Sequence, residues 1–528
     1  MASFTPPTLN RDFVCVMPDD NPTVAAVVSS YFNEPGIYFT TFSFPAIDKP
    51  FAAHFDFSDD GYIARMIGSD AAVVINNAIV KLRPKKVFLA GMTSIQKSYI
   101  EAHIPKGMLI EIDSIIDVPK KLAFLNKTFE GTLLCKSSDV TAGLLHAKYS
   151  RKGLHIYEKA PTLAKKRLHN AKGLTVLEYT GESQDITAVN YAFSIDADVI
   201  LVAPVRQEQV RPLQKLIYEW KNGSSEAYNT LRQKAAKRVK GINFPNYEFA
   251  TFFTRGLPYG LLLKNVIPFS HVLTNIDSDL FIFNNIAYET IPVSFDTAII
   301  FSPQLLGVEE TQEIENVIAV LEKNNYSVKP LLCHIACFDS KHQGDFRTMA
   351  SHGCPVVFNN TCSSWYEIAI CFVQAGTRAY IGTLWKIGTN TARSAAKLFY
   401  EEVFNSGNML SAFHKMVKSV KNNKYHDIYL YWGLHFSTMK TPIHKTDQKA
   451  FDALVASFLI WLNKYHETPT VEIRRNCVPI LNFISKEIDQ NFTSDHLKGL
   501  GAEIQSHLAK QYEQEPDDDF MTRGVMDL

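Results

Sequence analysis

Short apolar runs of strand length, each followed by a stretch with helical periodicity, recur along this chain and set its fold class. Lys86–Gly91 (KVFLAG) and Asp198–Pro204 (DVILVAP) are continuous rather than alternating, as expected of parallel strands covered on both faces. An amphipathic pattern from Gln207 to Trp220 follows the second run. Strands that alternate with helices build α/β layers, because parallel neighbours need a long crossover connection.

The pattern is sharpest after Asp296. Thr297–Ser302 (TAIIFS), Leu331–Cys337 (LLCHIAC), Pro355–Asn360 (PVVFNN) and the RAYIGTLW segment read as strands. Val308, Ile314, Val317, Ile318 and Leu321 recur at helical spacing after the first, and Ala392, Ala396, Phe399 and Val403 mark a helix after the last. Ser364 and Glu367 stand at capping-box spacing, which predicts that Ser364 opens a helix running to about Ala375. From Thr446 the strand signals stop. Phe451, Leu454, Phe458 and Leu462 repeat at helical spacing, and an acidic EQEPDDDF segment reads as a solvated tail.

A length of 528 residues predicts two to four packed units. The breaks in pattern place α/β domains at roughly 1–150 and roughly 151–285, a third at roughly 286–442, and a helical segment at roughly 443–528. The basic stretch Arg232–Lys240 reads as a solvated helix face, and Arg255–Leu263 as a Gly/Pro-punctuated loop. No internal repeat with a period of about 20 to 50 residues is visible.

Composition removes several function classes. Lys+Arg and Asp+Glu number 54 each, so no global basic field draws the chain to nucleic acid or an anionic membrane. The opening MASFTPPTLNRDF lacks the basic-then-apolar order of a signal peptide. The longest largely apolar stretch, Tyr366–Trp385, carries Glu367, Gln374, Gly376 and Arg378, which a bilayer core penalises, so it reads as helix, turn and strand. The expectation is a cytoplasmic protein with no membrane span. Neither GxGxxG, GxxxxGK[ST] nor HExxH occurs, and no cofactor is expected.

Cys333, Cys337, Cys354, Cys362 and Cys371 crowd one region, which in a reducing compartment points to thiol or metal chemistry, or to small buried side chains. His334, Cys337, His342, His352 and Cys354 are ligand-type residues, but no CxxC pair has a matched second pair, so no metal site is expected. A thiol nucleophile needs a base within hydrogen-bond reach, a lowered pKa and donors for the oxyanion. Cys362 follows a strand and precedes a helix, whose unpaired N–H groups would favour a thiolate. The same place also suits an inert buried cysteine, and the local residues leave both open.

Five segments occur in a telling order: HIAC from His334, NNTCSSW from Asn359, QAGTRAYIGTLWKI from Gln374, LFYEEVF ending at Phe404, and YLYWGLHF from Tyr429. The series resembles the CHAT domain, a family of caspase-like cysteine peptidases found mainly in bacteria, from Asp296 to Met439. AG-x-R-x-x-I-G-x-LW is its most specific element. The resemblance implies a caspase-like parallel-sheet sandwich with a Cys-His dyad, often set beside other modules in defence or cell-suicide systems. Carried over, Cys362 takes the nucleophile position at the carboxyl end of a strand lying beside Leu331–Cys337, in a cleft bounded by the loop Asp339–Ser351. The His-Gly pair that would supply the base falls on Phe338 and Asp339. Phenylalanine accepts no proton, and the Asp339 carboxylate would oppose a developing oxyanion.

His342 is the candidate substitute base, while His334 is expected to be structural. Two functions follow from the resemblance. One is a degenerate peptidase that acts as regulator or scaffold through protein contacts. The other is an active thiol endopeptidase with Cys362 as nucleophile and a relocated histidine base, switched on by a partner. Either way the expected partner or substrate is another protein.

Overall fold

The structure, a computed structural model, describes residues 4–52, 61–222, 224–254, 269–273, 278–291, 297–303, 331–337, 355–362, 364–365, 367–374, 376–384, 386–420 and 428–439, with scattered positions between 458 and 484. Two compact units emerge. Met1–Ile291 with Leu434–Phe436 forms the first, and Pro292–Gly433 with Ser437–Leu528 the second.

The first unit holds two larger parallel sheets. In the N-terminal one, β1 (Phe13–Pro18), β2 (Thr41–Phe44), β3 (Lys86–Ala90) and β4 (Leu109–Ile112) pair in the order β2-β1-β3-β4, all parallel. Val14, Cys15, Val16 and Met17 are buried on both faces of β1, as the continuous apolar run requires. Helix α1 (Thr23–Ser30) connects β1 to β2, and α2 (Tyr62–Leu82) connects β2 to β3. Helix α2 stops where Arg83 takes a left-handed conformation (φ 56°) ahead of Pro84, a residue that disfavours a helical predecessor. Among the described residues α2 is the one helix long and apolar enough to cross a membrane; Ala72, Ile75, Ile79 and Leu82 pack one side of it into the unit. Helix α3 (Ser94–Glu101) then leads to β4 and opens on a formed capping box between Thr93 and Gln96.

After helix α4 (Val140–Tyr149), the second sheet of this unit is built from β5 (Lys166–Arg167), β6 (Gly173–Glu178), β7 (Asp198–Val202), β8 (Phe249–Phe253) and β9 (Phe269–Leu273). Its order is β5-β7-β6-β8-β9, with only β5 antiparallel. Val176 at the centre lies opposite Ile200 on one side and Phe252 on the other. Helices α5 (Ser183–Ser194), α6 (Gln207–Lys221), α7 (Ser225–Arg238) and α8 (Ser278–Thr290) complete the unit. The basic stretch does lie on a solvated face of α7: Arg232, Lys234 and Lys237 are exposed while Leu231 and Ala235 are buried. Arg238 turns back to the carboxylate of Glu178 at 3.3 Å.

The second unit contains β10 (Thr297–Pro303), β11 (Leu331–Cys337), β12 (Val356–Asn359), β13 (Ala379–Thr383) and β14 (Tyr429–Trp432), with helices α9 (Glu367–Gln374), α10 (Thr389–Ser406) and α11 (Met409–Ser419). The order is β11-β10-β12-β13-β14, parallel except for β14. The described residues of the apolar stretch 366–385 form helix Glu367–Gln374, a turn at Gly376 and strand Ala379–Thr383, as its interrupted hydropathy predicts. Val356, Val357, Phe358, Tyr380, Ile381, Phe399 and Val403 are buried, and the Phe358 ring lies 5.3 Å from Phe399 and 5.9 Å from Tyr429. Arg378, in the most specific element of the resemblance, is buried and donates to the Thr438 carbonyl.

One order therefore recurs. Counting the parallel strands of each sheet along the chain, all three run second-first-third-fourth. The repeat invisible at a short period exists as a topology.

Candidate functional site

Strand β12 ends in a polar run, Asn359-Asn360-Thr361-Cys362, and each residue before the cysteine is tied down. Asn359 donates from Nδ2 to Tyr380 Oη (2.9 Å) and accepts at Oδ1 from the Thr361 N–H (3.0 Å) and hydroxyl (2.6 Å). This is an Asx-type turn closing on its own backbone. Asn360 donates to the Ala392 carbonyl (3.1 Å) and accepts from Tyr429 Oη (2.7 Å), so one side chain links β12 to α10 and β14. Thr361 offers its carbonyl to the Thr383 hydroxyl at 2.6 Å.

Ser364, on the far side of Cys362, is equally fixed. Its hydroxyl donates to the Asn359 carbonyl (3.0 Å) and accepts from the Thr383 N–H (3.0 Å), while its own carbonyl accepts from Tyr380 Oη (2.6 Å). The expected capping role is therefore corrected. Helix α9 begins at Glu367, and the Ser364 hydroxyl is used between β12 and β13 instead. Gly382 on β13 leaves room for this approach: a Cβ there would stand 3.0 Å from the Ser364 carbonyl oxygen and 2.7 Å from the Tyr380 ring.

Among the described residues of this pinned loop, Cys362 is the exposed one. Among the described cysteines it contrasts with Cys15, Cys135 and Cys477, which are buried. Its place at the carboxyl end of a parallel strand is where open α/β sheets form sites. Such a thiol can meet a large molecule from solvent. Attack on a carbonyl would still need a base within hydrogen-bond reach.

The expected neighbour of the cysteine strand is corrected by the pairing. Phe301 of β10 stands opposite Asn359, and Pro303 of β10 stands opposite Cys337, so β10 lies between β11 and β12. Two interstrand spacings, about 9.5 Å, separate the strand carrying HIAC from the strand carrying Cys362. Phe338, Asp339, His342, His352, Cys354 and the loop 339–351 lie outside the described residues, as do Arg255–Leu263 and the acidic tail. In this unit the imidazole with a described side chain is His414 on α11, half-buried, its pKa lowered by desolvation and by Lys418. No hydrogen bond joins it to Cys362 among the described residues. Nor do three or more His, Cys, Asp or Glu side chains converge as a metal site among them.

Sequence reasoning singled out Cys362, gave Ser364 a capping role, and passed over the other groups that hold the loop: Asn359, Asn360, Tyr380, Thr383 and Tyr429. The available signal was the polar NNT placed directly after a buried strand, where buried amides must find partners. In the first unit, the strand ends are closed by similar bonds. Glu178 at the end of β6 accepts from the Thr254 hydroxyl (3.1 Å), and Asp185 accepts from Thr141 (2.9 Å) and from the Gly181 N–H (2.8 Å). Burial pushes the Asp185 carboxyl up to about 6 against those three donors, the Thr180 N–H being the third.

None of the protein-family models matches this sequence, and no curated protein does. Among solved structures, the complex of Porphyromonas gingivalis RgpB pro- and mature domains is distantly similar. It is 12% identical, with 46% of this chain and 80% of that chain covered at a TM-score of 0.31, a level that carries no argument about function.

Proposed function

We propose that residues from Asp296 to Met439 form a CHAT-like, caspase-fold domain whose peptidase chemistry has lapsed, and that the protein acts as a regulator or scaffold through protein contacts. The resemblance would set that role in a bacterial defence or cell-death system. The observation that supports this reading is the place of β10 between the two strands from which a dyad would be assembled. With Phe338 at the family's base position as well, the nucleophile stands without its base, and because the two act as a unit the loss of one costs several powers of ten in rate while sparing binding.

The exposure of Cys362 on a rigid loop favours a second reading, the thiol endopeptidase with a relocated base such as His342. One comparison separates them. Cys362→Ala and a truncation before Glu513 are assayed side by side for the cellular effect and for complex formation. The scaffold reading expects Cys362→Ala to keep both and the truncation to lose them. Loss of the effect in Cys362→Ala with complexes intact supports the peptidase, and His342→Ala should then show the same loss.

A further inference from the structure

Helix α2 presents an apolar face to solvent. Ile63, Met66, Ile67, Val73, Val74 and Val80 are all exposed, Ile63 by 65% and Val80 by 62%. At 100° per residue they fall within one sector roughly 140° wide, together with Asp70, Asn77 and Lys81. The opposite side, with Ala72, Ile75, Ile79 and Leu82, already packs into the first unit. Monomeric soluble proteins seldom leave so many aliphatic side chains uncovered on one helix, and such faces mark interaction sites.

The order of residues along this face identifies what covers it. Asp70 and Asn77 are equidistant from the midpoint between Val73 and Val74. Ile67 and Val80 are equidistant from the same midpoint, as are Met66 and Lys81. A face with that symmetry is complementary to itself when reversed, which is the property of an isologous two-fold contact. We infer that α2 is a homodimerisation surface on which two copies of the chain pack their α2 helices antiparallel.

In this register Val73 lies on the partner's Val74, and Ile67 on the partner's Val80. Asp70 faces the partner's Asn77, whose amide donates to the carboxylate; a carboxylate accepts several hydrogen bonds at once, so its bonds within its own chain are no obstacle. Asp70 thus meets an amide, and Ile67, Val73, Val74 and Val80 meet aliphatic side chains, while Met66 lies along the aliphatic stem of the partner's Lys81. A 21-residue helix is about 31 Å long and roughly 10 Å wide, so the pair covers on the order of 700 Å² in all. Stable interfaces bury about 1,200 Å² or more, which makes this dimer weak and concentration-dependent.

The test is sedimentation velocity on the full chain from about 5 to 200 μM, with parallel flotation on anionic vesicles of phosphatidylcholine and phosphatidylserine. Wild type is expected to shift from monomer to dimer across that range. Asn77→Asp sets two carboxylates against two others and should weaken the dimer by tenfold or more. Asp70→Asn/Asn77→Asp restores the pair with its members exchanged and should recover the wild-type curve. In a Cys362→Ser background, Ile67→Cys/Val80→Cys should form a disulfide-linked dimer under mild oxidation, and neither single variant should. A monomer at every concentration, a dimer indifferent to Asn77→Asp, or flotation of the wild type with the vesicles overturns the proposal. Circular dichroism of each variant shows whether it has folded, and the exchanged pair serves as the internal control.

Discussion

The Ser364 hydroxyl donates to the main-chain carbonyl of Asn359 across the loop that carries Cys362, at 3.0 Å. The bond closes a short arc of chain from the end of a buried strand toward the start of a helix. Because Thr383 and Tyr380 also bind Ser364, the arc is held from β13 as well as from β12.

Ser364→Ala should therefore destabilise the second unit. It leaves the buried Thr383 N–H without its acceptor and takes one donor from the Asn359 carbonyl, a change worth about 1–3 kcal/mol. The urea midpoint is expected to fall, and Cys362, already exposed, should label no more slowly than in wild type. An unchanged midpoint would mean that the arc is held by Asn359, Asn360 and Thr361 alone.

Thiol labelling of the folded protein gives a second check. Cys362 is exposed, whereas Cys15 and Cys135 are buried, and desolvation raises both of their pKa values, that of Cys135 to about 11. A thiol reacts as its thiolate, so both accessibility and ionisation protect the buried pair. Brief treatment with iodoacetamide at pH 8, followed by peptide mass spectrometry, should find Cys362 modified and Cys15 and Cys135 intact. Equal labelling of Cys15 would contradict the burial of β1.

The strands that carry this site were readable because local sequence determines them. Leu331–Cys337 and Val356–Asn359 are continuous apolar runs, and the structure forms them where the runs lie. Their order was not readable. Which strand neighbours which depends on contacts between residues far apart in the chain, and nothing within TAIIFS states that it will lie between LLCHIAC and VVFN. The capping-box spacing shows a similar limit. Thr93 and Gln96 form a capping box in the structure, yet Ser364 and Glu367 at the same spacing do not. A buried N–H on β13 takes the Ser364 oxygen, and a tertiary partner outranks a local one. Helix α2 escaped notice because its apolar residues run nearly all round, with no clear period to report.

Lys148 is another residue whose environment its type does not announce. It stands in the last turn of α4, 1% exposed, and donates from Nζ to the Phe32 carbonyl. Its ammonium lies 4.9 Å from the centre of the Phe193 ring, and no carboxylate pairs with it among the described residues. Burial, reinforced by Lys127, lowers its pKa from 10.5 to about 7. Between those values the unfolded chain holds a proton that the folded chain does not, so stability rises with pH across this window. The penalty is fully present below about 7 and vanishes above 10.5. From pH 7 to pH 9 this one group should add on the order of 2 kcal/mol to the unfolding free energy of the first unit. Lys148→Met cannot titrate, so the difference in urea midpoint between wild type and variant should narrow or change sign as pH rises. A difference that stays constant from pH 7 to pH 9 would mean that Lys148 keeps its ordinary pKa and finds solvent or an anion within the fold.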